Sequence, residues 1–418
     1  MKKIIINGGN KLSGTINIGG AKNSAVALIP AAILSDENTT IYNVPNITDK
    51  QALIDILKAL NCNVKDDNDS LKIDSSKLEN IYIKEELSSK LRASYYFMGA
   101  LLGKCKHVEI ALPGGCNIGK SSRPINFHLK GFEQLGATIT VEDDKYIIHA
   151  EELNGSKIYL DFPSVGATIN IMLAAVKAKG KTVIYNAAKE PEIVNIATFL
   201  NNMGAKITGA GTSEIKITGV DYLHKGIIEV IPDRIEAATY IIAGALIGDN
   251  LKINGVIEEH LESLLSKFNE MGIKYSIKDF ELTISAADKI KHTSIKSQVF
   301  PGFVTDMGQP MCVLLTQANG ISFFEETIYD NRMGHVKYLN NMGANIEIKD
   351  NTEIICGKTE YKGKKVKATD LRAGAAMVLA GLIAEGQTEI SNVEHILRGY
   401  ENIVEKLSNV GADIRIEE

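Results

Sequence analysis

LGATI at 135–139, MGAKI at 203–207, MGIKY at 271–275 and MGANI at 342–346 repeat one short pattern, and LNCNV at 60–64 and VGADI at 410–414 complete a set of six. Their second residues, Asn61, Gly136, Gly204, Gly272, Gly343 and Gly411, stand 75, 68, 68, 71 and 68 positions apart. Six units therefore fill the 418-residue chain. Each pattern follows a stretch such as PINFHLKGFEQ, PEIVNIATFLNN or RGYENIVEKLSN, with apolar residues at three- and four-residue intervals and polar residues between them. That spacing predicts a surface helix, which the glycine stops and a strand follows.

Earlier in each unit lies a uniformly apolar stretch: SAVALIPAAIL, ASYYFMGALL, ATINIMLAAV, EAATYIIAGALI, MCVLLTQA and AAMVLAGLIA. A helix without a polar face is a buried helix. Between the two helices come short β-branched runs, TTIYNV, HVEIAL, KTVIYNA, NLKINGV, ISFFEE and TEISNV. The predicted unit is thus strand, buried helix, strand, surface helix and paired strands, a βαβαββ-type plan of the α/β class. A chain this long exceeds one core, so two domains of three units each are expected, with sheets outside and apolar helices at each centre. An open solenoid is the alternative, although solenoid repeats usually run to only about 20–50 residues.

Composition narrows the function classes. With 44% hydrophobic and 23% charged residues, the chain reads as a soluble globular protein. No apolar stretch reaches the roughly 18 residues of a membrane span. The opening MKKIIINGGNKLSG has too short an apolar run for a secretory signal, and a cytoplasmic location is expected. Cys62, Cys105, Cys116, Cys312 and Cys356 form no C-x-x-C pair, which indicates neither a disulfide framework nor a zinc site. A net charge of −5 without a long basic run argues against a nucleic-acid partner. Cations for an anionic substrate must then be gathered locally.

They gather where the chain enters the buried helices: Lys22 with Asn23, Arg92, Ser164, Asp233 with Arg234 and Glu236, Asp306, and Asp370 with Arg372. A helix start offers unpaired N–H groups and a positive dipole end, which suit phosphate or carboxylate. If both triplets of helices aim their starts at a cleft between the domains, one anion site results. Structural readings stand beside this one. Asp233, Asp306 and Asp370 also read as helix caps, and Arg92, Arg123, Arg372 and Arg398 as surface ion pairs. Equivalent placement in a repeat favours the site.

The stretch LPGGCNIGKSSRP, residues 112–124, lies in the longest unit, where glycine and proline prevent regular structure around Cys116. Lys120 and Arg123 nearby favour anion binding and a lowered thiol pKa, as in a substrate-covering loop. The alternative is a surface loop with an idle thiol.

GGAKNSA, LRAS, PGGC-x-IG with the later RP, FPSVGATIN, EPEIVN, PDRIEA, PGFVTDMGQP, DNRMGHV, ATDLRAG and RGYE run from end to end of the chain. With these motifs it resembles the UDP-N-acetylglucosamine 1-carboxyvinyltransferase family, the enolpyruvyl transferases that open peptidoglycan synthesis. The shikimate-pathway transferases look similar in repeat plan but have a serine-rich first segment and no such cysteine loop. The resemblance implies two inside-out α/β barrel domains, residues 1–20 with 230–418 and residues 21–229 with the 112–124 loop. It implies no metal and no organic cofactor. The substrates it implies are phosphoenolpyruvate and UDP-N-acetylglucosamine, which yield the 3-O-enolpyruvyl ether and phosphate.

The same resemblance distributes roles. Lys22, Arg123 and Arg398 fit the donor phosphate, and Arg372 with Arg92 the remaining anionic groups. Asp306 takes the sugar hydroxyl proton, Cys116 is the loop acid and can add covalently to the donor, and Asp370 supports Lys22 or Arg372. Asn23 contacts donor and sugar. The uridine lies against Pro124, Ile125, Asn126 and Phe127 on one side and Phe162, Pro163, Ser164, Val165 and Gly166 on the other, while the backbone at Ile328 meets the sugar amide. Three departures stand out: two extra residues between Cys116 and Arg123, Asn126 where the family carries Asp, and Gly334 in place of a bulky residue before His335. They keep two rivals open, a transferase for another UDP-sugar or specialised acceptor, and an inactive UDP-sugar-binding paralogue.

Overall fold

The computed structural model describes residues 2–68, 70–111, 125–142 and 145–418. The described chain divides into two compact units: residues up to 19 with 232–418, here called the Asp306 unit, and the rest, the Lys22 unit. Each has its own core.

In the Asp306 unit, the helices Arg234–Ile247, Gly308–Leu315 and Leu371–Ile383 pack on one another. In the Lys22 unit, the helix Tyr96–Cys105 packs on both Lys22–Ala31 and Val165–Ala175. These are the six apolar stretches, and they are buried nearly throughout, since a helix apolar on all sides has no face to give to water. Gly99 and Gly103 let the chain around Asn170 and Leu173 approach: a Cβ on Gly99 would stand 2.3 Å from the Asn170 carbonyl oxygen.

Sheets lie outside these helices. Among the described residues there are six, five of four strands and one of three. The sheet after Val165–Ala175 is typical. Lys157–Tyr159 runs parallel to Lys181–Tyr185, which pairs antiparallel with Glu214–Thr218, itself paired with Lys206–Thr208. In the three-stranded sheet, the leading parallel strand is reduced to a bridge between Ile83 and Ile110.

Two leading strands are exchanged along the chain. Thr15–Asn17 precedes the helix Lys22–Ala31 yet pairs with Leu251–Asn254, and Gly226–Glu229 precedes the helix Arg234–Ile247 yet pairs with Thr39–Tyr42. Lys3–Asn7 closes the last sheet, inserted antiparallel between Gln387–Ser391 and Asp413–Glu417. It stands where the other units place the second strand of their hairpin. The repeat is therefore not contiguous along the chain at these three strands. Each of them satisfies its backbone groups on a sheet edge or gap remote in sequence. Among the described residues no helix is long and apolar enough to cross a membrane.

Candidate active site

Three of the six apolar helices are capped by their own side chains. Ser164 accepts from the Ala167 N–H, Asp233 from those of Ile235 and Glu236, and Asp370 from those of Arg372 and Ala373. The other three begin without a side-chain cap, either directly after Ala21 or through the 3-10 turns Arg92–Tyr95 and Thr305–Met307. These uncapped starts carry Lys22, Arg92 and Asp306.

Asp306 is not a cap. Its Oδ1 accepts from Arg332 Nη2 at 2.7 Å and its Oδ2 from Arg372 Nη2 at 3.2 Å. Both arginine side chains are almost fully buried, at 4% and 3% exposure, while the carboxylate keeps 28%. Arg332 also donates from Nη1 to Thr305 Oγ1 at 2.7 Å, and the Thr305 hydroxyl donates to Glu326 Oε2. The other oxygen of Glu326 takes the Ser297 hydroxyl and the N–H groups of Ile328 and Tyr329. The loop after Phe324 is thereby tied to the turn that carries Asp306.

Aromatic rings support both guanidiniums, Arg332 lying 5.2 Å from the Tyr329 centroid and Arg372 5.3 Å from that of Tyr400. The Tyr400 hydroxyl meets that of Thr239 at 2.8 Å. Half-buried Arg398 lies two residues before Tyr400, just after the helix Glu394–Leu397. The result is a carboxylate held by two buried guanidiniums and still partly exposed.

Asp370 meets Arg372 through the main chain. Its Oδ1 meets the main chain of Arg372 at 2.9 Å and its Oδ2 takes Gln309 Nε2 at 3.2 Å, while the guanidinium of Arg372 goes to Asp306. A cap fixes where Arg372 starts; it does not neutralise it. Lys22 pairs with Asp49 at 2.8 Å, both side chains largely buried. Asn23, next to Lys22, is half-buried.

A buried polar knot organises the remaining positions of the Lys22 unit. The Asn170 amide donates to the Tyr95 carbonyl at 3.1 Å and to His128 Nδ1 at 2.8 Å, and its oxygen accepts the Gly99 N–H. Tyr95 lies edge-on to His128, and the Arg92 guanidinium stands 5.8 Å from the Tyr95 ring. A Cβ on Gly166 would meet Tyr95 Oη and His128 Cε1, each at 2.9 Å. Arg92, the residues Ile125, Asn126 and Phe127 beside His128, and the run Phe162, Pro163, Ser164, Val165 and Gly166 are thus brought to one place. Asn126 and Phe162 are exposed there. Cys116, Lys120, Arg123 and Pro124 lie outside the described residues. Ile328 has its N–H turned to Glu326.

Burial, and then the charge of Arg92, press the His128 pKa down from 6.5 to about 3. Below about 6.5 an unfolded imidazole takes a proton that the folded one refuses until about pH 3, so this part of the stability is whole above pH 6.5 and declines as pH falls toward 3. Unfolding free energies measured from pH 7 to 4 should fall more steeply for the wild type than for His128→Gln, by up to about 1.4 kcal/mol per pH unit. Equal slopes would show that His128 is not the buried base described.

Arg332, Glu326, Asp49 and His128 had no role in the sequence reading. Arg332 lay inside the quoted DNRMGHV, but its pairing spans 26 positions and no periodicity announces it. His128 occupied a helical position that read as ordinary amphipathic surface.

With this geometry in place, comparison with known proteins defines the class. Residues 6–407 match the family model described as EPSP synthase (3-phosphoshikimate 1-carboxyvinyltransferase), and the chain belongs to that family of carboxyvinyltransferases. It is 52% identical over 412 residues, 99% of this chain and 97% of the other, to UDP-N-acetylglucosamine 1-carboxyvinyltransferase 2 of Listeria monocytogenes. It is 50% identical over 414 residues, 99% and 96% of the two chains, to the protein of that name from Geobacillus kaustophilus. Among solved structures, the enolpyruvyl transferase NikO from Streptomyces tendae superposes with a TM-score of 0.91 at 26% identity, covering 100% of this chain and 99% of that one. EPSP synthase from Acinetobacter baumannii, at 18% identity and a TM-score of 0.77 with both chains fully covered, shares the fold.

Proposed function

We propose that the protein transfers the enolpyruvyl group of phosphoenolpyruvate to the 3-hydroxyl of UDP-N-acetylglucosamine with release of phosphate, the first committed step of peptidoglycan synthesis, in the cytoplasm. The observation that carries this reading is Asp306, a partly exposed carboxylate gripped by two buried arginines in the turn that leads into an apolar helix. Relatives named for this reaction match almost the whole chain, which supports the choice of acceptor.

The chemistry assigns each group a task. Protonation of the donor methylene carbon makes its neighbour electrophilic, and Cys116 is the acid given this step. The sugar hydroxyl adds there as its proton passes to Asp306. The tetrahedral adduct then loses the methyl proton and expels phosphate, regenerating the double bond. Lys22, Arg123 and Arg398 carry the phosphate charge, and Arg372 and Arg92 the other anionic groups. Asn23 orients the sugar, and the Ile328 carbonyl accepts from its amide. Ile125, Asn126 and Phe127 with Pro124, and Phe162 to Gly166, hold the uridine. In this reading residues 1–20 with 230–418 form one substrate-binding domain and residues 21–229 the other. Asp370 keeps Arg372 in position.

A continuous phosphate-release assay tests the reading. Release should require phosphoenolpyruvate and UDP-N-acetylglucosamine together, and mass spectrometry should find the sugar nucleotide heavier by one enolpyruvyl group. Release with a different UDP-sugar only would overturn the acceptor. No release with any UDP-sugar would leave a binding protein and defeat the reading.

A further inference from the structure

Glu353 lies on the strand Thr352–Cys356 at a position that faces inward with Ile355, and it is 1% exposed. An alternating strand normally fills such a position with an apolar residue. Beside it lie two other buried groups. Cys312 comes from the helix Gly308–Leu315 and His335 from the residue that leads into the helix Val336–Asn341. One donor atom from each of the three lies within 4.8 Å of the other two, and His335 Nε2 stands 3.3 Å from Glu353 Oε1.

Hydrogen bonding accounts for only part of this cluster: the Cys312 thiol bonds to Glu353, but other polar atoms are left over. Both ring nitrogens of His335 and Oε2 of Glu353 are buried without a hydrogen-bond partner among the described residues. Burying such atoms unsatisfied is expensive, and a bare imidazolium–carboxylate pair would still leave one ring nitrogen and one carboxylate oxygen orphaned in an apolar core. A divalent cation coordinated by thiolate, imidazole and carboxylate removes most of that cost.

We infer that Cys312, His335 and Glu353 form a structural site for a borderline-soft divalent cation, with zinc as the ion best matched to mixed sulfur, nitrogen and oxygen ligands. In tetrahedral zinc sites, bonds of about 2.0–2.3 Å put neighbouring donors about 3.3–3.7 Å apart, so the nitrogen and oxygen, 3.3 Å apart, are already spaced for it, and the sulfur lies within 4.8 Å of both. A solvent molecule takes the fourth position, and binding releases the thiol proton to solvent. The ligands are 23 and 18 positions apart, without the close pairs that mark zinc sites in sequence, which is why the reading of cysteine spacing passed over them.

The site would brace the catalytic turn. Cys312 is on the helix that follows Asp306, and His335 is three residues beyond Arg332, so one ion would tie both partners of that ion pair to the same strand. The inference holds whichever acceptor the enzyme uses.

Metal binding is read directly on the full chain. Wild type equilibrated with zinc and then dialysed against metal-free buffer should retain about one zinc per chain by mass spectrometry. With cobalt(II) in place of zinc it should show a near-ultraviolet thiolate-to-cobalt charge-transfer band. Cys312→Ser and His335→Gln should lose the band and bind zinc at least about tenfold more weakly. Zinc should raise the unfolding temperature of the wild type and leave that of Cys312→Ser unmoved. Wild type that retains no zinc and gives no cobalt band would overturn the inference without recourse to any variant. A band that survives Cys312→Ser but disappears in Cys116→Ser would place the metal elsewhere and overturn it equally.

Discussion

Asp306→Asn should lower kcat for phosphate release by about 10²–10⁴-fold, the range attributable to one positioned acid–base group. Asparagine keeps the size of the side chain and one acceptor oxygen, but it cannot take the proton of the sugar hydroxyl. Its amide N–H₂ also faces a guanidinium that now has no acceptor on that side, which costs about 1–3 kcal/mol of stability and should appear as a lower unfolding midpoint. Affinity for UDP-N-acetylglucosamine, measured by titration calorimetry, should change far less than turnover. The pairing with Arg332 and Arg372 explains why the two effects separate: the arginines hold the carboxylate in place, and the abstraction step uses its exposed edge. A variant that turns over within a few-fold of wild type would remove Asp306 from the reaction.

Gly99→Val should destabilise the Lys22 unit by about 3 kcal/mol, the upper end of the cost of overpacking a well-filled core. A Cβ at this position would lie 2.3 Å from the Asn170 carbonyl oxygen and 2.6 Å from Asn170 Oδ1, and neither atom can retreat easily. The first belongs to a helix backbone. The second accepts the Gly99 N–H and belongs to the side chain that fixes Tyr95 and His128. The damage should therefore reach function, because the turn that carries Arg92 and the segment that carries Asn126 share this anchor. Chemical denaturation followed by circular dichroism should show the early loss of one unit, and sugar-nucleotide affinity should fall as well. An unchanged denaturation profile would mean that the two helices separate without cost and that the close approach at Gly99 does not organise the unit.

Much of the architecture could be read locally. The six glycine-stopped patterns, the amphipathic helices before them and the all-apolar helices earlier in each unit follow from periodicity, and periodicity is a property of neighbouring residues. Candidate charges were equally visible, since Lys22, Arg92, Asp306 and Arg372 recur at equivalent places in the repeat. Their partners were not. Asp49 for Lys22 and Arg332 for Asp306 depend on which way a side chain leaves its helix or loop, and so does the division of Asp370, whose Oδ1 takes N–H groups of its own helix while its Oδ2 takes Gln309 Nε2.

The sequence by itself determined the unit, its number and the places where charge collects, because helix and strand signals are carried within a few residues of chain. Only the tertiary structure decided which strands meet. Thr15–Asn17 lies beside Leu251–Asn254, Gly226–Glu229 beside Thr39–Tyr42, and Lys3–Asn7 in the gap between Gln387–Ser391 and Asp413–Glu417. An alternating β-branched run specifies that it will pair and which face it will bury, but its hydrogen-bonding edge is the same backbone in every strand. The choice of partner across about 190 to 410 residues is therefore made by the packing of the buried helices that bring the edges together, and the same packing sets Cys312, His335 and Glu353 around one point.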